Sequence, residues 1–212
     1  MSELVSLKKA ERKVFTAATQ DGLWDIFIGC FALQLAVGVF LSPSLGDFWA
    51  AAVFVPLWVM VLVGIWLVRK HVLAPRLGKV SYGAARKRSL RRFTALMLTV
   101  NIIALALGIW AALGSSFSGP MVGIGLGLVC LIGFSIAAYT LSYHRLYLYG
   151  LLFGLSPVVG EWLWENCGVS HHGFPITFGI TAAVMFLTGT VVFVRLLRNN
   201  PAPVEGAPPE EV

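Results

Sequence analysis

The chain reads as long uncharged apolar runs separated by short polar breaks. Phe48–Val68, Phe93–Leu113 and Met121–Leu141 each hold 21 residues without a charge, and Pro175–Val194 holds 20. A helix needs roughly 20 apolar residues to cross a bilayer core of about 30 Å. Two shorter runs, Ile26–Leu41 with 16 residues and Leu146–Gly160 with 15, reach that length by extending past one acid each. Gly22–Trp24 carry the first past Asp25, and Trp162–Trp164 carry the second past Glu161. The runs are continuous rather than alternating, which excludes a membrane β-barrel. Lipid offers no hydrogen-bond partner to open backbone, so helices are what remains. The pattern predicts an all-α, polytopic membrane bundle of six transmembrane helices, spanning about 22–41, 48–68, 93–113, 121–141, 146–164 and 175–195.

Composition agrees. Charged residues make up 12% of 212 residues, about half the share of an ordinary soluble domain. Hydrophobic residues make up 58% and the mean hydropathy is +0.81. A water-soluble globule would lack the charges to cover its surface, and disorder of the body needs the opposite composition. Three cysteines make no disulfide scaffold.

Charge sets the expected orientation. All 16 Lys and Arg fall in four segments: before span one, between spans two and three, between four and five, and after six. With six spans, these segments share one side, and the positive-inside rule makes it the cytoplasm, with both termini there. Six of the seven tryptophans fall near span ends, as interfacial belts require; Trp58 sits mid-span.

Outside the spans, residues 1–20 carry Leu4, Leu7, Val14 and Ala18 near helical spacing, with Lys8, Lys9, Arg12 and Lys13 between them. This predicts an amphipathic helix on the membrane surface. Residues 21–198 form the transmembrane domain, and 199–212 form a Pro-rich, acidic, disordered tail. Ser42–Asp47 and Gly114–Pro120 read as short turns. Pro75 and Gly78 bracket another, and Pro157 is expected to break the fifth span.

Two stretches carry a family resemblance. Asp21-Gly22-Leu23-Trp24-Asp25 opens span one. Ala74-Pro75-Arg76-Leu77-Gly78-Lys79-Val80 precedes the basic cluster Arg86-Lys87-Arg88 and Arg91-Arg92. Together they resemble a widespread group of prokaryotic integral membrane proteins with a D-G-L-W-D-like start and a P-R-x-G-x-V-like loop. Lys79 stands where that group more usually has an aromatic residue. The resemblance covers about the first half of the chain. It implies a bacterial or archaeal cytoplasmic membrane and no particular activity.

Three constellations are candidates for function. Asp21 and Asp25, four residues apart, share one helix face. They read first as an ion-pair network with the basic loop, and second as a cation or proton site. The loop between spans two and three holds Arg76, Lys79, Arg86, Lys87, Arg88, Arg91 and Arg92. Beyond setting topology, it would attract anionic lipid, each charge contributing about 1 kcal/mol, or dock a partner membrane protein. Glu161 with Glu165, Cys167, His171 and His172 supplies carboxylate, thiol and imidazole in 12 residues. These are metal-ligand types, but the spacing matches no metal motif, so polar loop groups are the heavier reading. Glu161 lies deepest and is the sharper candidate for an ion or proton site.

The first functional expectation is therefore a non-catalytic module binding anionic lipid or a partner through residues 69–92. Its rivals are a small ion- or proton-linked transporter using Asp21, Asp25 and Glu161, working as a homodimer, and a metal- or haem-binding membrane protein. No P-loop, G-x-S-x-G elbow or dinucleotide fingerprint occurs. Catalysis is disfavoured, no cofactor is expected, and nucleic acid lacks a fold to present it. Gly123 with Gly127, and Gly150 with Gly154, make small-x-x-x-small faces for helix packing. Gln34 and Asn101 are expected to bond between helices.

Overall fold

A computed structural model describes residues 21–77, 91, 94–95, 102 and 119–201. The expected surface helix 1–20, the run 93–113 apart from isolated positions, Asn101, the loop residues Lys79, Arg86, Lys87, Arg88 and Arg92, and the tail beyond 201 lie outside the described residues. Arg91 is helical and exposed.

The described residues are helical, with no strand among them. Helix α1 is Leu23–Leu45, α2 is Asp47–Ala52, α3 is Phe54–Val68, α4 is Gly119–Leu141, α5 is Arg145–Cys167 and α6 is Phe174–Asn199. Helix α3 runs on through a π-helical turn, Arg69–Leu73, and a last turn, Ala74–Leu77. Five stretches are long and apolar enough to cross a membrane: Leu23–Leu41, Phe54–Arg76, Gly123–Leu141, Arg145–Cys167 and His171–Asn199. They correspond to five of the six runs in the sequence.

Three expected breaks are helix instead. Ser42–Asp47 is not a loop: α1 continues through Pro43 to Leu45, with Ser44 Oγ donating to the Leu41 carbonyl at 3.0 Å. The turn into α2 is left to Gly46, at φ +75°. The turn at Pro75–Gly78 is likewise replaced by helix up to Leu77. Pro75 lacks an N–H and crowds the carbonyl four residues back; the π turn immediately before it widens the winding there, a known way to seat proline in an apolar helix. Pro157 does not break α5 either. Beside it, Ser156 Oγ donates to the Leu152 carbonyl at 2.7 Å and adds a polar contact where the ladder is interrupted.

Helix association in lipid depends on close packing more than on hydrophobic drive, and glycines set the crossings. A Cβ on Gly127 would lie 2.3 Å from the Gly154 carbonyl oxygen, and one on Gly150 would lie 2.7 Å from Phe134 Cβ. The two small-residue faces therefore meet each other, joining α4 to α5. Helix α1 crosses α6 at Gly22 and Gly189, where a Cβ on Gly22 would sit 2.3 Å from the Gly189 carbonyl oxygen. Between these crossings lies one core of Ala32, Ala36, Tyr149, Phe153, Phe178, Ala182 and Met185. Phe153 is its hub, stacked on Phe134 at 5.1 Å and on Phe31 at 6.0 Å.

Helix α3 buries none of its own residues. It meets α1 through Trp58, which packs on Phe27 at 5.1 Å and donates its indole N–H to Gln34 Oε1 at 2.6 Å. Gln34 thus bonds between helices as expected, and the one mid-span tryptophan has a partner.

Candidate functional site

Ionisable side chains gather at the two opposite ends of the bundle. At the first, the arginine end, Gly22 adopts φ +83° and turns the chain into α1. Asp21 precedes that turn, and its Oδ1 accepts the Leu23 N–H at 2.9 Å. This satisfies one of the open donors of the helix N-terminus. Its other oxygen accepts both Arg69 Nε, at 3.2 Å, and Arg69 Nη2, at 2.8 Å. Trp24 lies under the same guanidinium at 5.3 Å. Burial pushes the Asp21 carboxyl up from its ordinary value, and the Arg69 guanidinium pulls the other way.

Asp25, in the first turn of α1, is completely buried. A short turn, Ser142–His144, joins α4 to α5; Ser142 takes φ +53° and directs Tyr143 inward. Tyr143 Oη donates to Asp25 Oδ1. Arg145 Nη1 donates to Asp25 Oδ2 at 2.5 Å. Burial, then the Asp25 carboxylate, raises the Tyr143 phenol far above its ordinary value, so this hydroxyl remains a donor. Tyr149 lies deeper, toward Asp25 and Thr188. Its buried hydroxyl completes no well-aligned hydrogen bond among the described residues.

Asp21 and Asp25 are thus brought to one end but serve two separate arginines. One comes from the expected basic loop and the other from the break between α4 and α5. Both are charge-assisted contacts, the strong class of hydrogen bond. Arg76 is also engaged, with Nη1 donating to the carbonyls of Leu197 at 3.3 Å and Asn200 at 3.4 Å. It covers open acceptors at the C-terminus of α6. Lys70 sits over the Trp66 ring at 4.9 Å.

At the second, histidine end, α5 ends at Gly168 in a left-handed cap with φ +63°. The chain then makes a tight turn, His171–Gly173, into α6. His171 at φ +56°, His172 at +52° and Gly173 at +61° are three consecutive left-handed residues. Each non-glycine residue there costs roughly 1–2 kcal/mol. Gly173 is required by space as well, since a Cβ would lie 2.7 Å from the Gly160 carbonyl oxygen.

This turn brings His172 onto Glu161. Its Nδ1 lies 3.1 Å from Oε1 and 3.2 Å from Oε2. Glu161 is 7% exposed, wedged with its Cγ against Gly123 of α4. The His172 side chain is 46% exposed and lies on Trp164 at 4.4 Å between centroids. His171 points elsewhere, edge-on to Phe40 at 5.0 Å. Glu165 and Cys167 are exposed. Among the described residues, no three His, Cys, Asp or Glu side chains converge as a metal site would require.

Reading the sequence alone missed Tyr143 and Tyr149 as neighbours of Asp25, and His172 as the partner of Glu161. The signal for the first was that Tyr143 and Arg145 lie in the break between two apolar runs that the charge pattern puts at the same end of the spans as Asp25. For the second it was the pair Gly168 and Gly173 bracketing a short connection.

The arrangement defines a helical membrane bundle with ion-paired ends. Compared with family models, with curated proteins and with solved structures, the chain matches none of them.

Proposed function

We propose that this protein is a membrane-embedded docking module, binding anionic lipid headgroups through the basic residues that follow α3. In this reading the chain crosses a prokaryotic cytoplasmic membrane six times, with 93–113 as the third crossing and both termini in the cytoplasm. The arginine end faces the cytoplasm.

The observation that carries it is the commitment of the two acids. Asp21 and Asp25 are buried and already neutralised by Arg69 and Arg145, so neither offers a bare charge to a passing cation. Among the described residues no carboxylate pairs with Lys70, Arg195 or Arg198 at that end. The charge of Lys79, Arg86, Lys87, Arg88, Arg91 and Arg92 adds to this surplus. Anionic headgroups are its natural counterions, each Lys or Arg contributing about 1 kcal/mol near the surface.

The test is lipid retention by full-length protein in nanodiscs of mixed phosphatidylcholine and phosphatidylglycerol. Neutralising Arg86, Lys87 and Arg88 together removes about 3 kcal/mol, on the order of a hundredfold in affinity. Unchanged phosphatidylglycerol enrichment around the triple variant would overturn the proposal.

A second reading, proton-linked transport, is favoured by Glu161, a nearly buried acid paired with a titratable imidazole. Glu161→Gln should then abolish flux in liposomes, and normal flux would remove the site.

A further inference from the structure

The turn between α5 and α6 combines three features that the docking reading does not use. It is held in a left-handed conformation at two histidines. Beside the close backbone packing of Gly173 on Gly160, its charged contact with α5 is the pair His172 and Glu161, with Trp164 beneath the imidazole. The basic partner in that pair can lose its charge. Imidazole is the side chain whose charge ordinarily changes between pH 5 and 8, whereas the guanidinium partners at the arginine end stay charged throughout.

We propose that Glu161 and His172 form a proton-operated latch. With His172 protonated, both carboxylate oxygens face an imidazolium across 3.1–3.2 Å, and the attraction holds the turn against its backbone strain. When His172 gives its proton to water, the charge attraction ends. The turn then relaxes toward ordinary right-handed or extended backbone, and the start of α6 at Phe174 moves with it.

Few other groups interfere. On α5 the titratable neighbours are Glu165, one turn beyond Glu161, and the exposed Cys167 at the helix end. On the turn itself there is His171, occupied with Phe40 of α1. Among the described residues, α4 contributes Gly123 and α6 contributes Phe174, neither of which titrates.

Cys167 is an exposed free thiol beside the turn, while Cys30 and Cys130 lie within membrane-length helices and are partly buried. A membrane-impermeant nitroxide reagent therefore labels Cys167 of the full chain in nanodiscs. Its mobility is read by electron spin resonance from pH 5 to pH 8.5. The latch requires mobility to rise with pH in the wild type. It requires that response to be lost in His172→Gln, which should be mobile at every pH, and kept in His171→Gln. Glu161→Gln should behave as His172→Gln does. A flat wild-type profile, or a pH response that survives His172→Gln, overturns the latch. Because the wild-type profile needs no variant to fold, a flat profile overturns the latch even if the Glu161 variant does not assemble. It is also read at the end of the bundle remote from the basic loop, so its failure is separate from failure of lipid retention.

Discussion

Both ends of the bundle pair a buried carboxylate with a basic side chain, and they differ in whether the partner can let go. At the arginine end Asp25 is fully enclosed and receives a guanidinium and a phenol. At the histidine end Glu161 receives one half-exposed imidazole from a strained turn. The first joins α1 to the start of α5 by groups with fixed charge over the physiological range. The second joins neighbouring elements by a group with conditional charge. A buried carboxylate therefore does not by itself mark a working site; the chemistry of its partner separates a fastening from a switch.

Breaking the fastening should have the largest effect. Arg145→Ala leaves Asp25 buried with its charge unpaired, a loss of about 3 kcal/mol. This is the low side of the usual range, because Arg145 is 26% exposed. Thermal unfolding followed by helical circular dichroism in detergent measures it. Adding Asp25→Leu should recover most of the loss, since it removes the orphaned charge; no recovery would mean that Arg145 acts by packing alone.

Of comparable size is Gly22→Ala, at the same end. The substitution places a side chain at φ +83° and drives its Cβ into the Gly189 carbonyl. Strain of about 1–2 kcal/mol and overpacking of about 1–3 kcal/mol should add. A variant as stable as wild type would mean that α1 and α6 do not cross there.

Releasing the switch should cost less and depend on pH. His172→Gln should destabilise by about 1 kcal/mol or less, as expected for a half-exposed pair. The deficit should be larger at pH 5 than at pH 8.5, because the charge attraction lost belongs to the protonated imidazole. The same pH scan on Arg145→Ala should still show its deficit at pH 8.5, because the guanidinium it removes is charged there. Equal pH dependence in both variants would erase the distinction between the two ends.

The smallest effect is expected at Gln34. Replacing it with Leu removes the bond to Trp58, worth about 0.6 kcal/mol for an average interhelical hydrogen bond in a membrane. A loss several times larger would mean that α3 depends on this contact for its place beside α1.

The sequence made the apolar helices legible because length and lack of charge are all a bilayer demands. It was misleading at Pro43, Pro75 and Pro157, which punctuate helices in water but are absorbed here. A continuous α5 past Pro157 and the π turn before Pro75 show how. Asp21 and Asp25 were legible as partners for arginine, and Arg69 was within the expected loop. Arg145 was not singled out, because its approach to Asp25 bridges 120 positions of sequence and depends on how α1, α4 and α5 assemble. The Glu161–His172 pair was hidden for a different reason. It requires consecutive histidines in left-handed backbone, a conformation that residue preferences argue against.

The π-helical turn at Arg69–Leu73 makes helix length itself a constraint. It spaces Arg69, which reaches Asp21, from Arg76, which reaches the end of α6. Winding the same residues as regular α-helix would rotate everything after the turn by about 100°, carrying Arg76 away from the carbonyls it covers. In the evolution of such a chain, this segment should tolerate changes of letter, and the loss of its one surplus residue, better than the gain of another.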